Sequence, residues 1–387
     1  MKKVAVIGVG ETKFGEHWYK SFRDLAVEAG IKSMEDANLE RKDIGALFVG
    51  NMSAGKFIGQ EHVASLVADH LGFSGIPCIR TESACASGSL AFRQALLSLQ
   101  SGAYDAAMVE GVEKMTDIIG SQASLALMGA GDQEWEASVG LTFPGLYALI
   151  ARRHMHEYGT TPEQLAMFSV NNHKNAVKNP DAQFRFEISV EDVLNSPLIA
   201  DPLHLLDCSP ITDGAASVLL ATEDFIKKKK IKNPIWVLGS GQSSDTVALQ
   251  DRKSLTSMFV TIDAAKKAYK QSGLKPKDIK IAEVHDCFSI NGLMAIEDLG
   301  FCKKGDGGKF IEDGNISLGS TVSINTSGGL KAKGHPVGAT GISQIIEIVK
   351  QLRGECEKRQ VDAKYGLTHN IGGSGASCLV HIFGKEK

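Results

Sequence analysis

Cys85 lies in the run Thr81-Glu82-Ser83-Ala84-Cys85-Ala86-Ser87-Gly88-Ser89. Before it stands a short strand signal, Ile76-Pro77-Cys78-Ile79; after it come Leu90, Ala91, Ala95, Leu96 and Leu99 at helical spacing, stopped by Ser101-Gly102. This order predicts strand, turn and helix, with the cysteine at the helix start. A thiol there can act as a nucleophile, because unpaired amides and the positive helix end favour the thiolate over a free thiol of pKa about 8.5. The competing expectation is a small, inert, buried hydrophobe. A matching base is His335 in Gly334-His335-Pro336-Val337-Gly338-Ala339-Thr340-Gly341, which again runs into a helix, Ile342 to Leu352. That loop could cradle a phosphate, yet it lacks the P-loop order of glycine, lysine and hydroxyl residue. His285 and Cys287, in Val284-His285-Asp286-Cys287-Phe288-Ser289, end an apolar strand and precede a helix, Ile290 to Leu299; that edge of an α/β sheet hosts chemistry. Two ligands at this spacing without a near third make a poor zinc site, so no metal is expected. The final glycine-rich turn, His369-Asn370-Ile371-Gly372-Gly373-Ser374-Gly375, offers N–H groups to a developing oxyanion; a tight strand connection is the plainer alternative.

The elements that carry these residues occur twice. Leu39-Glu40-Arg41-Lys42-Asp43-Ile44 and Ala46-Leu47-Phe48-Val49 parallel Leu274-Lys275-Pro276-Lys277-Asp278-Ile279 and Ile281-Ala282-Glu283-Val284. Each half opens on an apolar strand, Val4-Ala5-Val6-Ile7-Gly8 or Ile235-Trp236-Val237-Leu238-Gly239, and Ala106-Ala107-Met108-Val109 matches Gly366-Leu367-Thr368-His369. Cys85 with Gly88 therefore stands where His335 with Gly338 stands in the second copy. An α/β protein of two similar halves is expected: 1–116 with 207–233, then 234–387, with 117–206 as an inserted lid. The insertion shows one well-marked helix, opened by Thr161-Pro162-Glu163-Gln164 and running to about Val177. Ser217-Val218-Leu219-Leu220 returns to the first half, and the lysines at 227–230 and 232 form a solvated connector.

Composition excludes several classes. The chain has 387 residues, 43% hydrophobic and 22% charged, with formal net charge −3, so it can bury a large core but offers no basic field for nucleic acid. No apolar stretch approaches the roughly 18 residues of a membrane span, and the N-terminus enters a strand without a signal peptide, so a cytoplasmic location is expected. Seven scattered cysteines predict reduced thiols, without a disulfide framework or structural zinc. Gly8-Val9-Gly10 after the first strand invites a nucleotide reading, but Lys13 replaces the third glycine and no acidic residue follows at the ribose-binding distance.

Taken together, Glu82-Ser83-Ala84-Cys85-Ala86-Ser87-Gly88, Gly334 to Gly341 and Asn370-Ile371-Gly372-Gly373 resemble the signature segments of thiolases, in matching order over nearly the whole chain. His285-Asp286-Cys287-Phe288, Asn172-His173 and the segment Asn179-Pro180-Asp181-Ala182-Gln183-Phe184-Arg185 resemble the sterol-carrier-protein type of thiolase, with archaeal acetoacetyl-CoA thiolases the best fit. The resemblance implies the thiolase fold: two βαβαβαββ halves in five layers, αβαβα, with an inserted loop domain. It implies an acetyl-CoA C-acetyltransferase that condenses two acetyl-CoA to acetoacetyl-CoA and CoA, or runs the reverse thiolysis, through an acylated Cys85 with His335 as its base and the N–H groups of Cys85 and Gly372 at the oxyanion. Common thiolases carry a second cysteine where this chain has Asn370, and Cys378 comes too late. In the sterol-carrier-protein type the duty passes to the cysteine after His-Asp, here Cys287, while His285 takes an asparagine's place beside the enolate oxygen. Ser209, in Cys208-Ser209-Pro210-Ile211-Thr212-Asp213-Gly214, is implied to contact pantetheine and Phe143 to line its tunnel.

No cofactor or metal is implied, since coenzyme A is substrate and product. Implied partners are acyl-CoA substrates, further copies in a dimer or tetramer, and a complex with hydroxymethylglutaryl-CoA synthase and a small zinc-containing acyl-CoA-binding protein that would feed the mevalonate pathway. The alternatives are a 3-ketoacyl-CoA thiolase of broader chain length, a decarboxylating ketoacyl synthase and a non-catalytic acyl-CoA-binding scaffold. Gly334-His335-Pro336 and Cys287 speak against the synthase, and the presence of all four key side chains speaks against the scaffold.

Overall fold

The computed structural model describes residues 2–386. Its first half runs β1 (Val4–Glu11), α1 (Phe22–Ala37), β2 (Leu47–Gly50), α2 (Ala54–Phe57), α3 (Val63–His70), β3 (Cys78–Thr81), α4 (Ser87–Ser101) and β4 (Ala106–Glu113). Next come α5 (Gly120–Met128), α6 (Phe143–Tyr158), α7 (Pro162–Ala176), α8 (Val190–Asn195) and the short hairpin of β5 (Leu198–Ala200) and β6 (Leu203–His204). The chain returns through β7 (Gly214–Thr222) and α9 (Glu223–Lys229). The second half runs β8 (Ile235–Ser244), α10 (Phe259–Ser272), β9 (Ile281–Glu283), α11 (Ser289–Asp298), α12 (Gly307–Glu312), β10 (Ser323–Ile324), α13 (Thr340–Arg353), β11 (Tyr365–Gly372) and β12 (Ser377–Gly384).

The duplication holds strand by strand. The first half orders its strands β1-β7-β4-β2-β3 and the second β8-β12-β11-β9-β10, and the two join through β1 and β8 at Ala5↔Trp236 and Val6↔Ile235. In each half the last two neighbours pair in parallel and the first two junctions are antiparallel. Helix α1 covers one outer face and α10 the other, while α4 and α13 lie between the two half-sheets and touch each other. The result is the expected five layers. Both central helices are buried on most of their surface, and α13 exposes so little because strands of both halves, β7 and β11 among them, press on it.

Glycines explain how tightly the layers stack. A Cβ at Gly8 would fall 2.4 Å from Ser33 O and one at Gly10 2.5 Å from Ala29 O, both on α1. Gly239 and Gly241 stand likewise against Ala268 O and Ala264 O of α10, at 2.3 and 1.9 Å. The Gly8-Val9-Gly10 run is thus a helix-packing groove repeated in both halves, which accounts for it without a nucleotide.

The insertion departs from expectation. Its marked helix is α7, with Thr161 and Gln164 forming the reciprocal cap. It also contains α5, α8 and the longer α6, whose opening Thr142 cap, Pro144 and closing Gly159 were all legible signals. The glycine-rich loop before α13 coils into a buried π-helical turn, Gly329–Lys333, whose lysines are engaged by carboxylates of the chain itself, Lys331 by Asp286 at 2.9 Å and Lys333 by Glu11 at 2.9 Å. Glu11 also accepts from Lys350 and Ser343; burial alone would raise its pKa, but the two lysines bring it to about 2.

Gly10→Ala and Gly241→Ala should each cost about 1–3 kcal/mol of stability, because backbone of α1 or α10 must move. Gly120→Ala, which meets nothing within 4 Å, should stay within about 0.5 kcal/mol. Denaturation midpoints of the three variants check this; equal midpoints would refute the packing account.

Candidate active site

Cys85 is set in the turn between β3 and α4. Ser83 N–H donates to Ser87 Oγ at 2.9 Å, Ser87 Oγ donates to Ala84 O at 2.6 Å, and Ala84 N–H donates to Glu82 Oε1 at 2.5 Å. Ala84 is held at φ 50°, a left-handed conformation costly for alanine, and this projects the cysteine out of the turn. The thiol is half-buried and lines a cavity of about 170 Å³ together with Cys287, His335, Ser209, Phe143 and Gly373. Both sulfurs therefore face one space.

The electrostatics of Cys85 differ from the sequence expectation. Burial pushes its thiol up to about 12 despite hydrogen bonds to the sulfur from the N–H of Gly373 and its own N–H, and the carboxylates of Glu113 and Glu82 push in the same direction as burial. The helix start is too weak to hold a thiolate at rest. The donor facing the resting sulfur is Gly373, one residue beyond Gly372, which remains in β11 packed on Ser83 O. Tight strand pairing fixes Gly372; the following turn frees Gly373.

His335 and His285 meet edge to face, with ring centroids 5.0 Å apart. Their hydrogen bonds assign them opposite tautomers. Thr340 Oγ1 donates to Pro336 O at 3.0 Å, so at 2.7 Å it accepts from His335 Nδ1–H, and His335 Nε2 is left as a lone pair. Asn370 Nδ2 can only donate, so His285 Nδ1 accepts at 3.0 Å and the proton resides on His285 Nε2, which has no partner among the described residues. Burial lowers His335 to about 3; burial and the neighbouring rings of His335 and His369 take His285 well below 6.5. Both rings are neutral at pH 7. One is a proton acceptor, the other a donor.

Cys287 is buried, and its thiol is pushed well above the ordinary value by burial and by Cys85. Its turn is pinned from beneath: Asp286 accepts from Leu330 N–H at 2.8 Å and from Asn172 Nδ2, and pairs with Lys331. Asn291 Nδ2 donates to His285 O at 2.6 Å, and Cys287 O accepts from Ser209 N–H at 2.9 Å. Ser209 and Phe143 thus stand at the pocket, one at the Cys287 backbone, the other at the first turn of α6.

Cys85, His285 and His335 bring one sulfur and two imidazole nitrogens within 4.8 Å of one another, a donor set that could take a thiophilic divalent ion. Cys287, the partner that the sequence spacing offered to His285, is not in that group. An ion there would engage the Cys85 sulfur itself and compete with its chemistry. Three contributors lay beyond the sequence reading: Thr340, which sets the His335 tautomer; Asn370, noted only as a missing cysteine; and Tyr147, from α6.

Residues 4–224 match the model of the thiolase N-terminal domain and residues 241–385 that of the thiolase C-terminal domain-like family. The chain belongs to the thiolase family. An acetyl-CoA acetyltransferase of Methanothermobacter thermautotrophicus is 55% identical to this thiolase over the full length of both chains. Sterol carrier protein 2 of Bos taurus is 37% identical, covering 97% of this chain and 71% of its own. Among solved structures, one named Ltp2-ChsH2(DUF35) aldolase superposes with a TM-score of 0.86 at 28% identity, covering 100% of this chain and 98% of that one.

A resting thiol beside neutral imidazoles gives a pH signature. Alkylation of Cys85 by iodoacetamide, followed by mass spectrometry of its peptide, should rise about tenfold per pH unit from pH 6 to 9 without levelling. A plateau reached below pH 7 would instead mean a preformed thiolate–imidazolium pair.

Proposed function

We propose that this thiolase is an acetyl-CoA C-acetyltransferase, joining two acetyl-CoA into acetoacetyl-CoA and CoA or running the reverse thiolysis. The observation that carries the reading is the pair of sulfurs in one cavity between imidazoles of opposite tautomer. The full-length identity to the archaeal acetyltransferase supports the choice of acyl group.

In the proposed cycle His335 Nε2 takes the Cys85 proton as the sulfur attacks the acetyl carbonyl, and the N–H groups of Cys85 and Gly373 receive the oxyanion. As the thioester carbon–sulfur bond breaks, the departing CoA thiolate takes the Cys287 proton. Acetyl-Cys85, protonated His335 and a Cys287 thiolate remain. The raised pKa of Cys287 makes the thiolate, once formed, a stronger base toward the α-proton. The second acetyl-CoA presents its carbonyl oxygen to His285 Nε2–H and His335 Nε2–H, Cys287 removes the α-proton, and the carbanion attacks the acetyl carbon. Cys85 leaves and regains its proton from His335, so the cycle closes without net proton change.

Assembly as a dimer or tetramer, a channelling complex with a synthase and a small zinc-containing protein, and supply to the mevalonate pathway belong to the same reading. The two-part name of the 28% identical structure supports a heteromeric arrangement. A reducing, cytoplasmic setting is supported by seven cysteines that are all unpaired.

Radiolabelled acetyl-CoA should label Cys85 in both the native protein and Cys287→Ala, whereas condensation and acetoacetyl-CoA thiolysis in the variant should drop by about 10²–10⁴. An unlabelled Cys85 would favour the scaffold reading, and undiminished condensation in Cys287→Ala would remove Cys287 from the mechanism. Equal or faster thiolysis of longer 3-ketoacyl-CoAs would replace the acetyl assignment by a broader one.

A further inference from the structure

The Cys287 thiolate that the proposed cycle passes through needs a stabilising donor inside a buried pocket. Few groups can serve. Lys331 is the nearby cation, but Asp286 already neutralises it at 2.9 Å. The carboxylate of Asp286 itself opposes a charge on the sulfur. Ser209 N–H is occupied by Cys287 O. His285 points its free Nε2–H at the Cys85 and His335 cluster.

Of the hydroxyls that line the cavity, the one that bonds to the sulfur is a phenol. Tyr147, wholly buried on α6, stacks on Phe288 with centroids 4.6 Å apart, which sets the phenol beside residue 287. Its oxygen donates to Gly373 O at 3.1 Å and also reaches the Cys287 sulfur. A phenol has a single hydrogen, so it serves one acceptor at a time.

We propose that Tyr147 is a positioning residue for the second half-reaction, whose hydroxyl turns from the Gly373 carbonyl to the Cys287 sulfur when that sulfur is charged. The inference rests on the acetyl-transfer reading above and deepens it. In the resting enzyme the hydrogen lies on Gly373 O and steadies the turn whose N–H faces Cys85. That turn has a second anchor in Arg252, which donates to Ser374 O and, at 3.0 Å, to Ser374 Oγ, so it stays in place when the hydroxyl turns away. Once CoA has left with the Cys287 proton, rotation about the phenol C–O bond brings the hydrogen onto the thiolate, and removal of the substrate α-proton lets it swing back. No bond other than hydrogen bonds is made or broken by Tyr147. Charged acceptors strengthen such bonds, which supplies the direction of the switch.

The test is Tyr147→Phe, which keeps the ring on Phe288. Acetyl labelling of Cys85 should remain within about twofold, while solvent-deuterium incorporation into the acetyl-CoA methyl and the condensation kcat should fall about 10- to 100-fold, the scale of a hydrogen bond to a charged group. A second arm needs no acyl-CoA: in a Cys85→Ala background, iodoacetamide alkylation of the Cys287 peptide across pH should be slower by a similar factor with phenylalanine at 147. Unchanged deuterium incorporation, or acetylation falling in step with condensation, would overturn the inference; so would an unmoved Cys287 profile. Loss of acetyl label in the native protein would instead strike at the parent reading, and the alkylation arm would still decide whether the hydroxyl serves the sulfur.

Discussion

Two helix starts can meet only where side chains are missing, and here the meeting place is Gly338. A Cβ on Gly88 would fall 2.6 Å from Gly338 O, and one on Gly111 2.4 Å from the same atom. Glu113, at the end of β4, accepts Gly338 N–H at 3.1 Å together with Asn51 Nδ2, Met52 N–H and Ser53 N–H, so the buried carboxylate fastens the second-half loop to the first-half sheet. Burial raises its pKa to about 7 despite these donors. Because Cys85 lies three residues before Gly88 and His335 three before Gly338, this contact fixes the distance between nucleophile and base. The rest of the site is arranged around it.

What that arrangement creates is a neutral site prepared for transient charge. Burial keeps both thiols protonated and both imidazoles uncharged, so no ion has to be desolvated for the enzyme to rest. The hydrogen bonds do the sorting: Thr340 turns one ring into an acceptor and Asn370 turns the other into a donor. Asn370 thus orients His285, and a second sulfur enters the same cavity from the loop after β9.

The sequence showed the scaffold well because the scaffold is repeated. Pairs such as Asp43 and Asp278, each closing a short 3-10 turn before a buried strand, carry their own internal control. The α7 cap was legible for a local reason, since Thr161 and Gln164 are three residues apart. Long-range chemistry was harder to see. Whether a helix end or burial governs Cys85 depends on how much protein covers the sulfur, and burial won. Gly372 and Gly373 are indistinguishable in a string, yet only one leaves the ladder to face the nucleophile. Tyr147 lies far from Cys287 in the chain and carries no motif; stacking on Phe288 and the bond to Gly373 O bring them together.

The junction between the second and third strands of each half-sheet has been used in two ways. In the first half Glu113 pairs with Gly214, and residues 114–213 loop out between them; in the second half Gly372 pairs with Ser377, and residues 373–376 close the gap as a tight turn. The long excursion leaves and re-enters the scaffold at a single rung. Changes of length elsewhere in the excursion therefore leave the rung in place, and the short turn opposite keeps its backbone donor trained on Cys85. The excursion thus shapes the cavity from one side, while the four-residue turn opposite holds a backbone donor against Cys85.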